Sequence, residues 1–198
     1  IDFTKCISCG CCVAACPFGA VLERSQIVDI LRALKSGRRV AAVTAPALVG
    51  QFSAPLRKLV TAMKKLGFSE VGEVARGAER TAKEEAEELM ERLSANGSFM
   101  TTSCCPAYIQ TVRRHMPEML PHISDTPTPM HYTGEMIKSK DPRTLTVFIG
   151  PCVAKRREAM EDSCVDYIMT FEELASVFEA AGIDPAACED DTELPEAS

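Results

Sequence analysis

Thr144-Leu145-Thr146-Val147-Phe148-Ile149-Gly150-Pro151-Cys152 is the stretch on which the fold turns. Its first seven residues carry no charge and favour extended backbone, the strongest strand signal in the chain, and the run leads straight into Pro151-Cys152. Downstream, Asp166 to Met169 predicts another strand. Thr170 with Glu173 then forms a capping box for a helix reaching Ala181, with Gly182 as its stop. Upstream, a short helix is expected near Met130 to Lys138, and the prolines from Pro117 to Pro129 predict an irregular connection. A helix from Pro106 to about His115 follows Cys104-Cys105, which the run SFMTTS, read as a strand, delivers. Glu79 to Leu93 is rich in strong helix formers and ends at Asn96-Gly97. Val71 to Ala75 predicts a strand, Ser53 to Lys65 a helix stopped by Gly67, Arg39 to Thr44 a strand, and Ile27 to Leu34 a helix.

Strands alternating with helices argue for an α/β fold with a largely parallel sheet and flanking helices. Functional groups in such a sheet gather at the carboxyl ends of the strands, where Cys104, Cys105 and Cys152 are expected. Residues 1–22 differ in texture: small, cysteine-rich and short of core-forming side chains, they hold a shape only around a metal centre. The division expected is therefore a cluster-binding segment at 1–22 and an α/β lobe at 23–198.

Composition narrows the function. At 46% hydrophobic and 25% charged, the 198 residues suffice for one folded core. A net charge of -6 offers no broad basic field, which argues against nucleic acid and anionic lipid as partners. No apolar run approaches the roughly 20 residues of a membrane span, and no signal-peptide pattern opens the chain, so a cytoplasmic location is expected. Ten cysteines in such a compartment read as metal ligands or reactive thiols, not as a disulfide framework. Because the chain opens at Ile1 with its first motif at Cys6, it reads as a piece of a longer protein.

Cys6, Cys9, Cys12 and Cys16, followed by Pro17, give the spacing CxxCxxCxxxCP. Thiolates so spaced wrap one 4Fe4S cube from a tight loop whose backbone N–H groups offset the cluster's charge. Cys11 is an extra thiol outside the ligand set. In two-cluster ferredoxins the fourth cysteine of such a run ligates the other cluster, so Cys16 either closes a single cluster or serves a partner site. Four thiolates with a terminal proline are unusual for zinc. His115, His122 and His131 show no metal-ligand spacing and read as surface or packing residues. Cys164 reads as a small buried hydrophobe and Cys188 as a loop thiol.

Thr102-Ser103-Cys104-Cys105-Pro106-Ala107-Tyr108 and Gly150-Pro151-Cys152-Val153-Ala154-Lys155-Arg156-Arg157-Glu158 resemble the first two of the three signature motifs of iron-only (FeFe) hydrogenases. Thr44 to Leu48 and Gly67 to Leu89 resemble the segments preceding the first signature, and a ferredoxin-like segment upstream is the family's usual arrangement. The resemblance implies that Cys105 and Cys152 ligate the cubane of the H-cluster, a 4Fe4S cubane joined to a di-iron subcluster. Cys104 would pass protons to the di-iron unit and Lys155 would donate to one of its cyanides. Glu85, Glu88, Arg92 and Ser124 would form the proton route to the surface, and Pro46, Ala47 and Pro151 belong to the pocket wall. Ala47 stands where many relatives have serine, and Gly150 where many have methionine. The third signature, with two further cluster cysteines, does not occur in these residues. Implied partners are protons or H2 and ferredoxin or another redox protein. A non-catalytic redox sensor or assembly factor of the same fold, and a plain ferredoxin-like carrier, are the competing readings.

Overall fold

The computed structural model describes residues 1, 2, 4–95, 97 and 99–191. Four strands, β1 (Val40–Thr44), β2 (Glu70–Glu73), β3 (Leu145–Ile149) and β4 (Tyr167–Met169), form one all-parallel sheet in the order β2-β1-β3-β4. The chain steps from β1 outward to β2 and then crosses back to β3 on the other side. The strand order therefore reverses between β1 and β3, and ligands of open α/β sheets bind outside the strand ends at such a switch point. Pro46 follows β1 there and Cys152 follows β3.

Every residue of β1 and β3 is buried, as strands covered on both faces must be. Period-two alternation sends Val40, Ala42, Leu145, Val147 and Ile149 into a core with α2 (Ile27–Lys35), α3 (Leu56–Leu66) and α8 (Phe171–Ala180). Ala41, Val43 and Phe148 face the opposite layer, where Val74, at the start of α4 (Val74–Ser94), and Met130 and Ile137 of α6 (Pro129–Lys140) meet them. Gly77 allows α4 and α6 to touch: a Cβ on it would lie 2.2 Å from the Pro129 carbonyl oxygen. Two short helices, α1 (Cys11–Ala14) and α7 (Lys155–Ala159), and α5 (Pro106–His115) complete the elements used below. The capping box of Thr170 and Glu173 is formed, and Gly67 (φ 110°) ends α3.

Several expectations need correction. SFMTTS is not a strand: its described part makes one isolated parallel bridge, Thr101 to Ile123, and Asn96 and Ser98 lie outside the described residues. Cys104 and Cys105 therefore sit at the amino end of α5, not at the end of a sheet strand. The second strand stops at Glu73, and the helix expected from Glu79 begins at Val74, because Val74, Gly77 and Thr81 are buried. Pro117–His122, expected to be irregular, winds into a 3-10 helix. Of the acidic tail, residues 192–198 lie outside the described residues, while 184–191 fold back on α3 through Arg57 to the Asp191 carbonyl (2.8 Å) and Lys64 to its carboxylate (2.8 Å). That fold-back buries Cys188, the thiol expected in a loop, in the bend after the Pro185–Ala187 turn.

Candidate cluster site

The cysteine loop is shaped by local backbone chemistry. Gly10 takes a left-handed conformation (φ 80°) to turn the chain into α1, and Ser8 does the same at φ 59°. The Ser8 N–H donates to Cys6 Sγ at 3.4 Å. The backbone N–H of Phe18 and then that of Ala20, helped less by those of Val21 and Gly19, hold the Cys16 thiol below its ordinary pKa against the opposing effect of burial. Hydrogen bonds from Cys11 lower Cys9, and Cys9 in turn raises Cys11. A tetrahedral zinc would draw its sulfurs to within about 3.8 Å of one another. Among the described residues no three of these loop thiols approach within 4.8 Å. The loop thiols with N–H donors at Cys6 and Cys16 fit an iron–sulfur cube, whose charge such donors offset.

The second corner lies at the switch point. The Ala45 N–H donates to the Ile149 carbonyl (2.8 Å) and that of Gly150 to Met169 (3.1 Å), which fixes the backbone entering Cys152. Cys105 is the N-cap of α5, with Pro106 as its first helical residue. Lys155 Nζ bridges the segments, donating to the Cys104 carbonyl at 3.2 Å and to Glu158 Oε2 at 2.6 Å. Cys104, Cys105, Pro46, Ala47 and Pro151 are exposed and Cys152 is half-buried. The cysteine loop abuts this corner directly, since a Cβ on Gly10 would lie 2.6 Å from Cγ2 of Val153, the neighbour of Cys152. Arg156 secures the join by binding Glu23 (2.7 Å), Glu173 (2.8 Å) and the Ile168 carbonyl (2.9 Å).

α4 supplies a polar track beside this corner. Glu88 accepts from Ser124 Oγ (2.5 Å), Thr126 Oγ1 (2.9 Å), the Asp125 N–H (3.0 Å) and Arg92 (2.5 Å). Burial raises the Glu88 pKa, but these donors outweigh it, Ser124 foremost, and bring it down to about 2. Arg92 also donates to the carbonyls of Pro121 and Ile123. Glu85, one turn back, accepts from the Ser103 N–H at 3.3 Å, beside Cys104, and Ser103 Oγ donates to the Thr126 carbonyl at 2.5 Å. Ser103, Ser124, Thr126 and Glu158 share the wall of a cavity of about 340 Å³. The structure thus brings Glu88, Ser124 and Arg92 into one network and sets Glu85 against the residue preceding Cys104.

Sequence reasoning missed Thr126 and Glu158. Glu158 was findable as an i, i+3 partner of Lys155; Thr126, in a turn, had no periodic signal. One further reading is corrected: Cys164 is half-exposed, not a buried hydrophobe. The His131 ring nitrogen, Asp162 and Cys164 lie within 4.8 Å of one another.

The profile for the iron-only hydrogenase large subunit, C-terminal domain, matches residues 38–198, and a 4Fe-4S binding domain matches residues 1–22. The chain belongs to the iron-only hydrogenase family. Iron hydrogenase 1 of Clostridium pasteurianum is 33% identical over 96% of this chain and 45% of its own length. The periplasmic Fe hydrogenase large subunit of Nitratidesulfovibrio vulgaris is 32% identical over 96% of the chain and 59% of its own. The chain thus spans about half the length of these hydrogenases. The cytosolic Fe-S cluster assembly factor NAR1 of Kluyveromyces lactis is 30% identical over 48% of the chain and 21% of its own length. An FeFe-hydrogenase structure, HydA1 from Chlamydomonas reinhardtii, superposes with a TM-score of 0.77 at 25% identity, covering 85% of this chain and 50% of that one. Among the described residues, no helix is long and apolar enough to cross a membrane.

Proposed function

We propose that the chain is the part of an iron-only hydrogenase that carries electrons and protons to and from the site interconverting protons and H2. The observation that carries this reading is the close approach of Gly10 to Val153, which sets the 4Fe-4S loop against the Cys152 corner. Residues 1–22 act as the relay, with Cys6, Cys9, Cys12 and Cys16 as ligands, and residues 23–198 as the lobe. Cys105 and Cys152 hold the cubane of the H-cluster, which when bound supplies the hydrogen chemistry itself. Cys104 holds the last proton on its thiol, within 3.3 Å of Thr102 Oγ1. Lys155, oriented by Glu158 and the Cys104 carbonyl, presents its ammonium as a donor to the cyanide of the di-iron unit. Arg92, Glu88, Ser124 and Glu85 move protons inward from the surface, Glu88 as a held carboxylate. Pro46, Ala47 and Pro151 contribute pocket wall. Ferredoxin or another small redox protein delivers the electrons, and the exposed Phe18 and Leu22 beside the loop support such docking. Ten free cysteines support a cytoplasmic assignment, although the Nitratidesulfovibrio relative is periplasmic.

Anaerobic reconstitution with iron and sulfide, followed by iron counting and electron paramagnetic resonance, tests the ligand assignment. Loss of one distinct cluster signal in the Cys105→Ala/Cys152→Ala variant supports it, and identical spectra refute it. The 198-residue chain alone is expected to produce no hydrogen from a reduced dye even with the di-iron cofactor supplied. The NAR1 similarity favours one second reading, an assembly factor. Hydrogen turnover by the full-length protein, abolished by Cys104→Ala, supports the hydrogenase; its absence supports the assembly factor.

A further inference from the structure

His131 stands in the first turn of α6, while Asp162 and Cys164 lie in the loop joining α7 to β4. A ring nitrogen, a carboxylate oxygen and a thiol from the three lie within 4.8 Å of one another. His131 Nδ1 is 3.1 Å from both Asp162 oxygens, and the Asp162 side chain is only 8% exposed. The backbone that presents them is tightly fixed. Gly134 shares the α6 face of His131 and admits the loop so closely that a Cβ there would lie 2.4 Å from the Cys164 carbonyl oxygen. Thr146 of β3 donates its hydroxyl to that same carbonyl at 2.7 Å, and the Cys164 N–H donates to Asp162 Oδ1 at 2.6 Å.

We propose that His131, Asp162 and Cys164 bind a divalent cation of the zinc class through three protein ligands, with water in the fourth position. Imidazole and thiolate together select a borderline-soft metal over magnesium or calcium. Zinc bonds of 2.0 to 2.3 Å at tetrahedral angles place ligand atoms about 3.3 to 3.8 Å apart, so the group closes on the ion with shifts of about 1 Å. Thiolate and carboxylate supply two negative charges against the two positive charges of the ion, and binding releases the thiol proton to solvent. Water reaches the fourth position from an open cavity of about 440 Å³ lined by His131, Asp162, Thr128, Ser163 and Glu158. The ion ties α6 to the loop leaving α7, the helix that carries Lys155 and Glu158. None of its ligands belongs to either iron–sulfur site, so the proposal stands independently of the hydrogenase reading.

The test uses the anaerobically reconstituted 198-residue chain dialysed against zinc chloride, with zinc and iron counted and zinc-edge X-ray absorption recorded. The expected result is one zinc per chain with one sulfur and three nitrogen or oxygen neighbours. That zinc is lost in Cys164→Ser and His131→Ala while the iron count is unchanged. The wild-type shell needs no variant to be read, which guards against a variant that fails to fold. Zinc retention unaltered by both substitutions, no zinc retained by the wild type, or an all-sulfur shell marking zinc in the Cys6 to Cys16 loop would each overturn the proposal.

Discussion

Replacing Gly10 by alanine strikes the join between the cluster loop and the Cys152 corner. The residue sits at φ 80°, and the new Cβ would lie 2.6 Å from Val153 Cγ2. A left-handed conformation costs an L-residue about 1–2 kcal/mol, and overpacking a fixed contact about 1–3 kcal/mol. Alanine recovers about 0.4–1 kcal/mol by stiffening the unfolded chain. The net loss is about 2–3 kcal/mol, which raises the population of the undocked loop about 30- to 150-fold. Hydrogen exchange of the amides of residues 10–16, followed by mass spectrometry on the anaerobically reconstituted protein, reads that population directly. Adding Val153→Ala removes the clash but leaves the dihedral strain, so the double variant should recover about 1–2 kcal/mol, the coupling expected of touching residues. Exchange within threefold of wild type in Gly10→Ala, or equal exchange in the single and double variants, would refute the docking contact as the element that holds the two sites together.

Glu88 has a folded pKa of about 2 against an ordinary value of 4.5, so its ionised form stabilises the fold fully above pH 4.5 and that contribution is lost as pH falls toward 2. Glu88→Gln should cost about 2–3 kcal/mol in urea unfolding near pH 6, with the gap to wild type closing as pH approaches 2. Arg156→Ala leaves Glu23 and Glu173 without their partner and should cost about 3 kcal/mol, a fall of about 6–12 °C in thermal unfolding, which lysine restores only in part. Gly150→Ala places a Cβ 2.5 Å from the Phe148 ring and 3.2 Å from Ala45 Cβ; a loss of about 1–3 kcal/mol by denaturant titration, relieved by Phe148→Leu, is expected.

What the sequence made legible follows from where each signal is encoded. The uncharged run at Thr144 to Gly150 announces its strand because a strand buried on both faces must be apolar along its length, and the cysteine spacing announces a cluster because one short loop carries four cysteines at that spacing. SFMTTS has comparable local propensity, yet among the described residues it makes only an isolated bridge to Ile123, since a strand is decided by its partners and not by its own residues. Val74 and Ala75 read as strand by composition and fold as helix because Val74 and Gly77 pack against α6. The group of His131, Asp162 and Cys164 lay beyond any spacing rule for the same reason. His131 is 31 and 33 residues from Asp162 and Cys164, on a helix facing a loop, and they meet where Gly134 leaves room for the Cys164 backbone that a Cβ there would block. Local chemistry was therefore readable wherever one segment carries it whole, and the sites assembled across segments had to wait for the glycines at which backbones touch.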